Sequence, residues 1–108
     1  MTAFPSTMWS VVQGAGSADP VERARSLETL AAAYWRPVYK TLRLGWRRSV
    51  EDAEDLTQGF FAKAAEKDFF ARYEPERARF RTFLRTCLER YVGNELRDAA
   101  RQKRGGRN

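Results

Sequence analysis

Two stretches of this 108-residue chain hold the side chains whose types and spacing could do chemistry. The first is Asp52-Ala53-Glu54-Asp55-Leu56-Thr57-Gln58, preceded by Glu51. Carboxylates this close in sequence could suggest a cation site or an acid–base pair. Helical spacing instead spreads them around the outside of a first turn, and there is no second carboxylate cluster to complete such a site. Acids in a first turn complement the helix dipole, and an acidic face suits a basic protein partner. The second stretch crowds Phe69, Phe70, Arg72, Tyr73, Arg77, Arg79 and Arg81 into a loop and the start of a helix. Cations follow phosphates, and aromatic or guanidinium planes stack on splayed bases, so this mixture suits single-stranded nucleic acid. The opposing expectation is that the aromatics are buried. It is held for Phe69, Phe80 and Phe83, with Tyr73 and one of the Phe69/Phe70 pair left open.

What the chain lacks narrows the chemistry further. It has no histidine and a single cysteine, Cys87, so Cys/His zinc sites, histidine bases and an internal disulfide are excluded. Cys87 falls on an apolar stripe with no activating base in view, and reads as a small buried hydrophobe. No glycine-rich loop joins a strand to a helix. No enzyme activity, metal or cofactor is expected.

The net charge is +6, and its distribution says more than its total. Residues 1–71 hold nine basic and nine acidic groups; residues 72–108 hold eleven basic and five acidic, so the whole excess lies in the last third. A basic segment of this kind is a footprint for nucleic acid or another anionic surface.

These residues must be positioned by helices. Hydrophobic residues make up 43% of the chain, enough to close one core, and the length holds a single domain. Residues 1–18 form an N-terminal segment with a short helix that Ser6 or Thr7 could cap, ending at Gly14-Ala15-Gly16-Ser17. Asp19-Pro20-Val21-Glu22 opens the next helix, with Asp19 as cap, Pro20 in the first turn and Glu22 where a capping box places a carboxylate. Ala24, Leu27, Leu30, Ala31, Tyr34 and Trp35 then recur at helical spacing, and Pro37 is expected to stop or kink the helix near Trp35–Arg36. Ser49 caps a helix whose apolar face is Ala53, Leu56, Phe60, Phe61, Ala64 and Ala65; Gly59 interrupts it. The last helix carries a 3–4 periodic stripe from Phe80 to Ala100, with Arg81, Arg85, Arg90, Arg97 and Arg101 off it. The tryptophans, Phe60 and Phe61 are expected in the core. Alternating runs and hairpin turns are missing, so the expectation is an all-α domain of three to four helices over residues 19–104, with 105–108 as a tail or the start of a linker.

With these elements in place the order of motifs resembles a known family. Asp52 to Gln58 followed by Phe60-Phe61 resembles the segment of bacterial sigma factors that docks on RNA polymerase. Phe80-Arg81-Thr82-Phe83-Leu84-Arg85 resembles the start of the helix that faces the promoter −10 element, and Leu27 to Leu44, with Tyr34-Trp35-Arg36-Pro37-Val38-Tyr39, resembles the first conserved helix of the same domain. Phe4-Pro5-Ser6-Thr7 and Trp9-Ser10 look like the opening of one subgroup of extracytoplasmic-function sigma factors. The resemblance implies a helical promoter-recognition domain, region 2. It places Asp52, Glu54, Asp55 and Gln58 against the clamp-helix coiled coil of the polymerase β′ subunit. It makes the loop from Phe69 to Arg79, including Arg72, Tyr73, Arg77 and Arg79, the loop that captures an unstacked base of the non-template strand. Arg81, Arg85, Arg90, Asn94, Arg97 and Arg101 would meet the −10 DNA and its phosphates. Gly59 departs from the acidic residue usual there, Arg90 from a frequent asparagine and Asn94 from a frequent aspartate, so base preference does not carry over. The chain stops at Asn108, before the −35-reading domain that such sigma factors carry.

The first reading is therefore a sigma-factor domain that binds polymerase core and −10 promoter DNA. A second is a sigma-like interaction module that occupies the clamp helices or an anti-sigma factor without starting transcription. A third is a basic helical protein that prefers duplex DNA. No apolar run is long enough for a bilayer and Met1 to Ser10 lacks the pattern of a signal peptide, so a cytoplasmic place is expected.

Overall fold

Helix α1 (Trp9–Ala15) and helix α2 (Pro20–Lys40) pack so closely that a Cβ at Gly14 would collide with the Ser26 hydroxyl of α2. The computed structural model describes residues 9–105, so the caps expected at Ser6 and Thr7 lie outside the described residues. The start of α2 is built as a relay. Asp19 Oδ1 accepts from the Val21 amide at 3.0 Å, the Asp19 amide donates to Ser17 Oγ at 3.0 Å, and that hydroxyl donates to Glu22 Oε1 at 2.8 Å. Glu22 thus serves the capping box through the Ser17 hydroxyl rather than by reaching the Asp19 amide itself.

Pro37 does not stop α2, which runs through it to Lys40. A proline costs the bond its missing amide would make. Leu30, Tyr34 and Val38, on either side of the proline, are all buried on one face, and this packing holds the helix together across the gap. The irregularity appears one turn later, where Thr41–Gly45 widens into a π turn closed by the Trp46 amide on the Thr41 carbonyl at 3.2 Å. The chain then reverses through Arg47, whose φ of 56° is left-handed.

Helix α3 (Val50–Glu66) begins as its sequence foretells, with Ser49 Oγ accepting from the Asp52 amide at 3.1 Å. A short 3-10 turn, Phe69–Arg72, and a loop lead to the last helix, α4 (Phe80–Gly105). Among the described residues there are four α-helices and no strand, an all-α fold.

The core lies where α2, α3, α4 and the 3-10 turn meet. Leu30, Tyr34, Val38 and Leu42 face Ala53, Phe60 and Ala64, with Phe70, Leu84, Leu88 and Val92 closing the space. Thr57 is the one polar residue fully buried among the described residues, and its hydroxyl donates to the Ala53 carbonyl at 2.6 Å. Phe70 is buried, while Phe69, Phe80 and Phe83, expected inside, are half-buried at the edge of the core. Two tryptophans and Phe61, which is half-buried, also depart from expectation, while the side chain of Trp9 lies outside what is described. Trp35 is 38% exposed and Trp46 half-buried, while the fully buried large apolar side chains are Phe60, Leu30, Leu42 and Val92.

Candidate functional site

Two surfaces gather the residues singled out by sequence, and they lie on different elements. The first is a groove of about 670 Å³ between the second half of α3, the 3-10 turn and α4. Its floor is Phe69, Phe83, Cys87 and Tyr91, and its rim carries Lys63, Lys67, Arg72, Arg90, Asn94, Arg97 and Arg101, with Glu95 and Asp98 the only acids. An aromatic floor under a cationic rim is what a single strand needs for stacking and phosphate contact. Several rim groups are already oriented. The Arg97 guanidinium donates to Asn94 Oδ1, Arg101 Nη1 to Asp98 at 3.3 Å, and Arg72 Nη2 to the Lys67 carbonyl at 3.3 Å.

The groove brings together Arg72, Arg90, Asn94, Arg97 and Arg101. It does not bring in Arg81 and Arg85, which line a smaller hollow of about 170 Å³ with Pro37, Thr41, Leu84 and Leu88 on the other flank of α4. At about 100° per residue, Arg81 and Arg85 lie roughly opposite Arg90, Asn94, Arg97 and Arg101 around the helix axis. Arg77 pairs with Glu74 at 3.0 Å in the exposed turn, and Arg79 is exposed at the entry to α4. Tyr73 is engaged in holding its own loop. Its hydroxyl donates to the Ala78 carbonyl at 2.8 Å, and its ring packs against Phe80 at 5.3 Å and Phe83 at 5.2 Å. Lys63 and Lys67 line the rim although sequence reasoning passed over them; their i, i+4 spacing at the end of α3 was the available signal.

Cys87, expected as a buried hydrophobe, is half-buried in the groove floor. Burial pushes its thiol pKa up, while Arg90 and Arg72 pull the other way without cancelling that effect. Burial likewise raises Tyr91, with Glu95 adding to the rise.

The second surface is the exposed side of α3. Glu51, Glu54, Asp55 and Gln58 are open to solvent, whereas Asp52 is ion-paired with Arg48 at 3.1 Å. Asp52 and Glu54 point to opposite flanks, since two residues turn the helix through about 200°. Glu54 and Gln58 share a stripe with Phe61, whose ring stacks on Trp35 of α2 at 6.3 Å and 19°. Asp52 lies on the flank of Gly59. That glycine has a local reason: a Cβ at 59 would run into the Tyr91 hydroxyl, so an acidic side chain has no room there.

Among the described residues no group of three metal-ligating side chains comes together, and no helix is long and apolar enough to cross a membrane. No curated protein and no solved structure matches the chain. The family model for sigma-70 region 2 does match, over residues 30–102, which span α2 from Leu30 through most of α4 and include both surfaces. The chain therefore belongs to the sigma-70 region 2 family, the sigma-factor domain of transcription initiation.

Proposed function

We propose that this protein is the promoter-recognition domain of an extracytoplasmic-function type sigma factor. It docks on the β′ clamp helices of RNA polymerase core through α3 and holds the non-template strand of the −10 element in the groove beside α4. The observation that carries this reading is the separation of charge across one small core. An acidic, solvent-facing α3 and a cationic, aromatic-floored groove allow a basic protein and a nucleic-acid strand to bind at the same time.

On this reading Asp55 and Gln58, with Glu54 on one flank and Asp52 on the other, meet the coiled coil. Asp52 must share its carboxylate with Arg48. Arg72, Arg90, Asn94, Arg97 and Arg101 hold phosphates and base edges, and Phe69, Phe83 and Tyr91 supply the apolar floor. Arg77 and Arg79 approach from the loop, which Tyr73 keeps in shape. Arg81 and Arg85 serve the upstream duplex from the other flank of α4. Melting follows from trapping unstacked bases, each worth about 1–3 kcal/mol when stacked on an aromatic ring. No bond is broken, so no cofactor is required.

The test is binding to core polymerase, or to an isolated β′ clamp-helix fragment, at moderate salt, with Asp52→Ala/Asp55→Ala as control. Binding abolished by the double substitution supports the docking reading. Intact affinity for nucleic acid with no polymerase binding overturns it in favour of a plain DNA-binding role. Binding to polymerase that never yields promoter-directed transcription assigns the chain as a competitor.

A further inference from the structure

Trp35 is a large aromatic side chain left 38% exposed, while Phe60 one helix away is fully buried. Its ring lies nearly parallel to that of Phe61, at 6.3 Å and 19°. Phe61 in turn is fixed edge-on against Phe60 at 5.1 Å. The platform stays open because its neighbours are small, with Ala32 beside Trp35 on α2 and Ala65 beyond Phe61 on α3, both exposed. It is also acidic. Glu54 and Gln58 precede Phe61 on the same stripe of α3, Glu28 precedes Trp35 by two turns on α2, and neither stripe carries a lysine or arginine.

An exposed indole on a face whose stripe charges, Glu28 and Glu54, are carboxylates about two turns away has one favoured partner chemistry. A guanidinium or ammonium group is attracted to the face of tryptophan more than to the other aromatic rings, and carboxylates on the same face favour a partner that carries several cations. Aromatic anchors that lose little freedom on binding are the usual centres of protein interfaces.

We infer that Trp35, stacked with Phe61, is an anchor of the α3 docking surface, and that it takes a cationic side chain of the docked partner on its exposed face while Glu54, two turns along α3, meets a second cation. The inference rests on the docking reading above and deepens it. It commits the occupant to a basic helical segment, such as a clamp helix, and moves the centre of the contact towards α2, away from the Asp52 flank.

The experiment measures affinity for the β′ clamp-helix fragment with Trp35→Phe, Trp35→Leu, Glu54→Gln and the Trp35→Leu/Glu54→Gln pair. Unfolding midpoint and single-strand affinity are read in parallel. Trp35→Leu keeps apolar bulk and removes the π face, and should weaken binding about five- to tenfold, whereas Trp35→Phe should cost about two- to threefold. The pair should lose about the product of the two single losses, because groups two turns, roughly 10 Å, apart meet different cations. Trp35→Leu binding like the parent overturns the inference. So does a loss that is matched by a lower unfolding midpoint and weaker single-strand binding, or one that is the same for Phe as for Leu. Should Trp35→Leu fail to fold, Trp35→Phe decides: a loss of about two- to threefold at an unchanged unfolding midpoint supports the inference, and binding like the parent overturns it. Asp55→Ala separates the levels. A parent that binds and an Asp55→Ala variant that does not, with Trp35 variants unaffected, leaves docking standing and removes only the anchor. A parent that does not bind removes both.

Discussion

The hydroxyl of Tyr91 on α4 rests against the backbone of α3 at Gly59, leaving no room for a Cβ there. Phe60, the next residue, meets the same ring edge-on at 5.9 Å. One glycine and one phenol thus make a tight contact between α3 and α4.

Gly59→Ala tests this packing. Alanine improves helix propensity by about 1 kcal/mol, but overpacking costs about 1–3 kcal/mol. The single change should therefore lower stability. Tyr91→Phe removes only the oxygen in the way, and the ring carbon behind it lies 3.4 Å from the new Cβ, an ordinary approach. Gly59→Ala should then stabilise in the Tyr91→Phe background. Urea unfolding of the four proteins reads the sign reversal, and additive effects would refute it.

Arg47 holds a φ of 56° in the turn before α3, and its side chain is exposed. A left-handed residue other than glycine costs roughly 1–2 kcal/mol. Glycine gives part of this back as extra freedom of the unfolded chain. Arg47→Gly should raise stability by about 0.5 kcal/mol, seen as a higher urea midpoint with an unchanged slope.

Alkaline pH should weaken the fold in a defined order. The thiol of Cys87 is raised above its ordinary 9.0 by burial, and Tyr34 and Tyr91 are raised above 10.0 by burial as well. Once pH passes the ordinary value, the unfolded group has lost its proton and the folded one has kept it, so stability falls as pH rises. The loss begins near pH 9 with Cys87 and deepens above pH 10 with the tyrosines. Cys87→Ala should remove the first part alone. Arg90→Ala should raise the thiol further and slow its alkylation at fixed pH, because a charge that favours the thiolate is gone.

The two flanks of α4 should separate in nucleic-acid binding. Arg90 and Arg97 line the groove, so Arg90→Ala and Arg97→Ala should each weaken single-strand affinity. Each should also lower the salt slope by about 0.7 for every phosphate left without its cation. Arg85 lies on the other flank, and Arg85→Ala should leave single-strand binding within about twofold of the parent, since it serves a different surface. Fluorescence anisotropy across a salt series measures both. Equal effects at Arg85 and Arg90 would mean that one strand reaches both sides of the helix.

Much of this molecule is legible before folding. Asp19-Pro20 and Ser49 start α2 and α3 because a cap needs only its own side chain and the next two or three amides. The last helix is readable from its stripe. The basic character of the groove follows from the charge excess after residue 71. The candidate site was legible as a composition but not as a shape. Ten cations and polar groups were expected to face DNA, and five of them share the groove. Arg81 and Arg85 look equivalent to Arg90 and Arg97 in sequence because all four lie off the apolar stripe. Helical spacing puts them on the two edges of the stripe, but only the positions of α2 and α3 decide which edge borders the groove.

The sequence by itself determined the main helices, the caps that start α2 and α3 and the sign of charge on each, because these depend on interactions within about one helical turn. Tertiary structure alone decided the rest. It carried α2 through Pro37, since burial on both sides outweighed one missing hydrogen bond. It turned Tyr73 inward to latch its loop and left Trp35 38% exposed beside Phe61. It also gave Gly59 its reason in Tyr91, a residue more than thirty positions away. Rotation of each helix about its axis is set by packing against distant neighbours, and no short-range pattern encodes it.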